Sequence, residues 1–184
     1  AHVGYFTLLA APLFKRVISI EPHPKNYEVL VKNTERFPNV TTINKAAWKH
    51  GGTVAMDLPE NSTVMANVQD LGRLRKYMTQ VPCGTLSTIL GDTFPDFIKA
   101  DAEGSEDTIF RACPEYLDRA KALIIEYHEM QLRRSSKVES GKEFIDLLAE
   151  HGFDKLIYSE LRTPVDRDKL PPSNSMFLNL LGVK

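Results

Sequence analysis

The residues best suited to chemistry fall in one run, Phe97-Ile98-Lys99-Ala100-Asp101-Ala102-Glu103-Gly104-Ser105-Glu106. Three carboxylates and a lysine crowd what reads as a strand-to-helix turn. A second run, Ile125-Glu126-Tyr127-His128-Glu129, repeats the theme at the end of another apolar stretch. Asp101, Glu103, Glu126 and His128 could together position a substrate hydroxyl, hold a metal or supply a general base. His128 ranks first as base, because an imidazole ordinarily titrates near neutrality. Glu106 has a simpler reading, since a carboxylate in the first turn of a helix complements the helix dipole. Glu21, followed by Pro22, ends an earlier apolar run; a carboxylate there can accept both hydroxyls of a ribose, and an ordinary surface glutamate fits the spacing equally well. Gly4 precedes the first helix and allows close backbone approach to a ligand. There is no glycine-rich phosphate loop, GxSxG elbow, HExxH pair or kinase signature. Cys83 and Cys113 stand in unrelated contexts, which argues against zinc and against a disulfide framework, and for reduced thiols in a cytoplasmic protein.

The elements that must position these groups alternate. Tyr5 to Ala11 reads as a short helix stopped near Pro12, and Arg16 to Pro22 as a buried strand. Lys25 to Phe37 is a helix with Tyr27, Leu30, Val31 and Thr34 at inward spacing, followed by a strand from Val40 to Ile43. Gly51-Gly52 predicts a hairpin between residues 46–48 and 53–56, and Pro82 predicts an edge strand over 81–86. Strands at 96–101 and 122–127 flank a helix opened by Ser105 and Glu106. An amphipathic helix from Gly141 to His151, closed by Gly152, precedes two last strands, 153–158 and 176–181. Apolar strands alternating with helices imply an α/β fold with a doubly wound, mostly parallel sheet, where ligands bind at the carboxyl ends of the strands.

The chain has 184 residues, which suits a single domain spanning 1–184. Acidic residues number 24 against 23 basic, so the net charge is −1. Nothing in that balance offers a broad footprint for a phosphate backbone, which disfavours nucleic acid as a partner. The apolar runs are too short for a membrane span.

The motifs resemble those of the FkbM family of S-adenosylmethionine-dependent methyltransferases. Ala1-His2-Val3-Gly4-Tyr5 is similar to the second half of that family's D-x-G-A-N-x-G-Y turn, with His2 in place of Asn. Ile20-Glu21-Pro22 matches its E-P strand end. Residues 98–106 match its I-K-x-D-x-E-G-x-E block almost completely. Thr85-Leu86-Ser87 resembles the T-L-D before that block, with Ser87 replacing Asp, and Ile125-Glu126-Tyr127-His128 resembles the following strand. The likeness runs in order over about residues 1–130.

The resemblance implies a class I methyltransferase (Rossmann-like) sheet of seven strands with an antiparallel last strand. It implies S-adenosylmethionine as cofactor, with His2 and Gly4 near its methionine part. Glu21 and Pro22 would lie at the ribose, Ala46 and Ala47 near adenine, and Asp101 near the amino end and the acceptor. His128, Asp101 and Glu103 become the candidate catalytic groups. No metal is assigned, although Asp101, Glu103 and Glu126 are the set that would hold one. The expected reaction is O-methylation of a small-molecule hydroxyl, on a sugar, polyketide or similar acceptor. Two rivals are an RNA methyltransferase using Arg73, Arg75, Lys76, Arg133 and Arg134, and a non-catalytic nucleotide-binding module. In this family the first motif and its strand begin upstream of Ala1, so the chain is expected to be N-terminally incomplete. Homo-oligomerisation is left open.

Overall fold

The computed structural model describes residues 1–57, 68–69, 78–127, 141–158, 162–166 and 178–184. They form two compact units, Ala1–Gly84 and Thr85–Lys184.

The first unit begins with α1 (Tyr5–Ala10), β1 (Val17–Ile20), α2 (Pro24–Thr34) and β2 (Val40–Ile43), the expected alternation. β1 and β2 pair in parallel, from Val17 opposite Val40 to Ile20 opposite Ile43. A hydrogen bond of 2.8 Å between the buried Thr7 and Ser19 hydroxyls ties α1 to β1. The start of α2 is set by Pro24, whose fixed φ suits a first turn, and by His23, whose Nδ1 accepts the Asn26 N–H at 3.3 Å. Its inward stripe is Asn26, Leu30 and Thr34 at four-residue spacing. Val31, expected inward, is 38% exposed. Thr34 is buried as expected, and its hydroxyl donates to the Leu30 carbonyl at 2.8 Å, so the polar side chain is buried with its donor satisfied.

The rest of this unit is a four-stranded group in the order β3 (Ala46–Ala47), β6 (Met78–Gly84), β4 (Gly52–Asp57), β5 (Val68–Gln69). The hairpin expected at Gly51-Gly52 does not form: β6 lies between β3 and β4, parallel to the first and antiparallel to the second. β6 is therefore internal, and not the edge strand that Pro82 implied. Its proline is tolerated because β3 pairs only with Cys83 and Gly84, so no bond to β3 is required of the Pro82 nitrogen. Trp48, 1% exposed, packs here with Ala46, Val54, Met56, Val81 and Cys83.

The second unit contains α3 (Leu86–Leu90), β7 (Phe97–Ala100), α4 (Glu106–Ala112), α5 (Glu115–Arg119), β8 (Ala122–Tyr127), α6 (Gly141–Glu150), β9 (Leu156–Tyr158), β10 (Thr163–Pro164) and β11 (Leu178–Val183). Its strands run in the order β10-β9-β11-β8-β7. β7 and β8 are parallel, and β11 is antiparallel to both β8 and β9, so the last strand has the expected direction. Along β8, Leu123, Ile125 and Tyr127 are buried and alternate with half-buried residues. Phe144, Ile145, Leu147 and Leu148 of α6 are buried as their spacing predicted. Each such side chain contributes about 1.5–3 kcal/mol.

The single seven-stranded sheet expected from the sequence is instead three hydrogen-bonded groups among the described residues. The ladders stop because β1 pairs only with β2 and β7 only with β8. All four residues of β7 are consequently only half-buried. No described helix is long and apolar enough to cross a membrane. His128 and the basic residues Arg73, Arg75, Lys76, Arg133 and Arg134 lie outside the described residues.

Candidate active site

In the first unit the candidate group is built around Glu21, one residue past the end of β1 and 6% exposed. Its Oε1 accepts the His23 N–H at 2.9 Å, and its Oε2 accepts the His2 N–H at 2.6 Å. A carboxylate has about four acceptor directions, so one remains on Oε1 for a hydroxyl donor. His2 meets this carboxylate through its backbone, and its left-handed φ of 53° turns that N–H toward it. Asn44 Nδ2 donates to the Glu21 carbonyl at 2.8 Å and fixes the chain behind the side chain.

Gly4 is buried in a left-handed conformation, φ 94°, and a Cβ there would sit 2.8 Å from Leu30 Cδ1. The need for glycine thus arises within the unit, from the closeness of α2. Pro22 is half-buried beside Glu21. Ala46 is 1% exposed in the Trp48 core, and Ala47 is half-buried.

In the second unit the ends of β7 and β8 bring the predicted carboxylates together. Parallel register sets Lys99 beside Ile124, which places Lys99, Asp101 and Glu126 on one face. The Lys99 ammonium lies 3.3 Å from Asp101 Oδ2 and 3.7 Å from Glu126 Oε2. Glu126 is raised above the ordinary carboxylate range by burial, by the Asp101 charge and by a hydrogen bond with the Asp101 side chain. One lysine therefore lies within reach of two carboxyls.

Glu103 stands in the turn that follows. Its φ is 52° and that of Gly104 is 86°, and the Ser105 N–H closes the turn on the Ala102 carbonyl at 3.1 Å. Left-handed backbone at a glutamate costs roughly 1 kcal/mol, so such a residue persists only where its surroundings hold it. The Glu103 carboxyl is raised from 4.5 to about 7, chiefly by burial and then by the Asp101 and Glu126 charges, against the attraction of Lys99. Its Oε2 is buried without a hydrogen-bond partner among the described residues.

Glu106, read from sequence as a helix-dipole residue, is fully buried. Its Oε1 accepts the Ala102 N–H at 2.5 Å, and its Oε2 has no partner among the described residues. It is raised to about 7, chiefly by burial, which the Ala102 N–H opposes and the Asp101 and Glu103 charges reinforce. Sequence reasoning missed this residue and the bridging role of Lys99. For Glu106 a usable signal was present: a first-turn glutamate after a Gly-Ser pair can reach back to an unpaired N–H before the helix.

A carboxyl that titrates near neutrality, with an unpaired oxygen beside two carboxylates, is suited to exchanging a proton with a bound hydroxyl. Among the described residues, no three His, Cys, Asp or Glu side chains converge as a metal site.

Comparison with known proteins extends these observations. The model of the methyltransferase FkbM domain matches residues 1–155. The crystal structure of methyltransferase FkbM from Methylobacillus flagellatus KT superposes with a TM-score of 0.59 at 17% identity, covering 99% of this chain and 41% of that one. The chain thus spans less than half the length of that protein. Precorrin-6y C5,15-methyltransferase from Geobacter metallireducens GS-15 gives a TM-score of 0.47 at 13% identity, covering 97% of this chain and 73% of that one, too slight a likeness to bear on the fold. No curated protein matches the sequence significantly. The first superposition supports a methyltransferase-like α/β fold, and the domain match covers most of the chain: it belongs to the FkbM methyltransferase family.

Proposed function

We propose that this protein is an S-adenosylmethionine-dependent methyltransferase acting on a hydroxyl oxygen of a small molecule, such as a sugar or polyketide. Family membership supports methyl transfer. A net charge of −1 supports a small acceptor over a nucleic acid. The same reading expects the seven-stranded class I sheet. The observation that carries the oxygen-directed part is Glu103, a strained, half-buried carboxyl raised to about 7.

The residues fit the cofactor. Glu21 is fixed by backbone N–H groups and keeps one acceptor direction on Oε1 for a ribose hydroxyl. His2, Gly4 and Pro22 are the other groups of that unit assigned to it, and the family resemblance assigns Asp101 to its amino end. When bound, S-adenosylmethionine supplies an activated sulfonium methyl, so transfer to oxygen needs alignment and removal of one proton. Ionised Glu103 takes that proton from the acceptor O–H. Asp101 and Glu126, already sharing Lys99, orient the hydroxyl and keep Glu103 basic. His128, the residue after Tyr127, is the rival for the base.

Labelled cofactor and a panel of hydroxylated metabolites test this reading. kcat/KM should rise with pH through a limb near 7, because the base works only when ionised. Glu103→Gln should remove that limb and cost at least about a hundredfold in rate. A limb that survives in Glu103→Gln and disappears in His128→Gln would give the role to the histidine.

A further inference from the structure

We propose that Glu106 is a positioning residue for this reaction: its buried carboxyl clasps the Ala102 N–H and so sets the turn from which Asp101 and Glu103 project. The inference rests on the reading of Asp101 and Glu103 as the acceptor end of the site. Three observations converge on it.

The first is place. Ala102 lies between the two acidic residues, so its orientation fixes the direction in which each departs. Both of its polar backbone atoms are held. The N–H donates to Glu106 Oε1 at 2.5 Å, and the carbonyl accepts the Ser105 N–H at 3.1 Å. The second is strain. Glu103 and Gly104 are both left-handed, φ 52° and 86°. A non-glycine residue stays there when neighbouring bonds over-determine it, and the two bonds from Ala102 do so. The third is burial. A carboxylate that only complemented a helix dipole would remain in water, where that interaction is obtained without loss of hydration. Glu106 is fully buried, and its Oε2 has no partner among the described residues. Such a placement makes sense for a group whose acceptor atom is needed at one spot. It also explains how the clasp survives protonation: neutral or ionised, the carboxyl keeps an acceptor oxygen for Ala102.

A residue acting through hydrogen-bond acceptance is replaceable by glutamine and not by an apolar side chain. The test compares the full chain with Glu106→Gln, Glu106→Ala and Glu106→Met, the last keeping the buried volume should the cavity of the alanine variant unfold the protein. The first measurement is amide hydrogen exchange at Ala102 by NMR, which needs neither cofactor nor acceptor. Exchange should be slow in the wild type and in Glu106→Gln, and at least about tenfold faster in the apolar variants. The second is methyl transfer. kcat should fall by about a hundredfold in the apolar variants and stay within about threefold in Glu106→Gln. Unchanged Ala102 exchange in the apolar variants overturns the proposal. So does a glutamine variant as impaired as the apolar ones, which would assign the effect to charge. Absence of methyl transfer in every form, wild type included, refutes the proposed function. The Ala102 exchange then still decides whether Glu106 holds the turn.

Discussion

Glu103 and Glu106 are raised to about 7 for the same leading reason, the loss of water around a carboxylate, with other carboxylates nearby. The folded state therefore binds their protons more tightly than the unfolded chain does. This contribution to stability is fully present below about pH 4.5 and is lost as pH rises through about 7. For the fully buried Glu106 the loss is about 3 kcal/mol, and solvent screening makes that of Glu103 smaller. Urea unfolding at pH 5 and pH 8 should show a lower midpoint at the higher pH, and Glu106→Gln should flatten the difference by stabilising the protein at pH 8. At Glu103 the backbone adds its own strain. Glu103→Gly should raise stability by about 1 kcal/mol in thermal unfolding while abolishing the neutral-pH limb of activity. At this scale the sequence revealed which carboxylates gather, because strand ends in an α/β sheet meet. It did not reveal Glu106, because burial of a first-turn carboxylate depends on what the chain folds over it. Nor could it show that Glu21 meets His2 through a backbone N–H, which depends on the left-handed turn at His2.

Elements of strong periodicity were legible, and those defined by partners were not. α6 and β8 came through because their spacing alone fixes an inward face. β6 was misjudged because the effect of Pro82 depends on how far β3 extends beside it, a non-local fact. The glycine pair at the start of β4 looked like a hairpin, yet β6 intervenes between the strands it was to join. α3 and α5 have five residues each, too few to show a helical period. β11 holds a test at this scale. Gly182 lies opposite Leu123 and Leu156, and a Cβ there would come within 2.9 Å of Leu156 Cδ2 and Phe153 Cδ1. Gly182→Ala should destabilise the protein by about 1–3 kcal/mol, read as a lower urea midpoint with unchanged slope.

At the scale of the molecule, the order of elements identified an α/β protein, and the three motifs identified its family before any distance was known. Less legible was the pairing of β1 and β7. β1 read as a buried strand, yet among the described residues each of the two has one paired edge, and neither is fully covered. Hydrophobic runs report what a strand can bury, not which neighbour covers it. Each compact unit carries its own share of the proposed chemistry: Glu21 on its backbone clasp in the first, and the Lys99, Asp101, Glu103 and Glu126 cluster in the second. The most direct test of the central claim is calorimetric titration of the protein with S-adenosylmethionine and S-adenosylhomocysteine, beside Glu21→Gln. Saturable one-site binding, weakened at least about tenfold by the substitution, is the predicted result. Heats no larger than dilution for both ligands with the folded wild-type protein would contradict it.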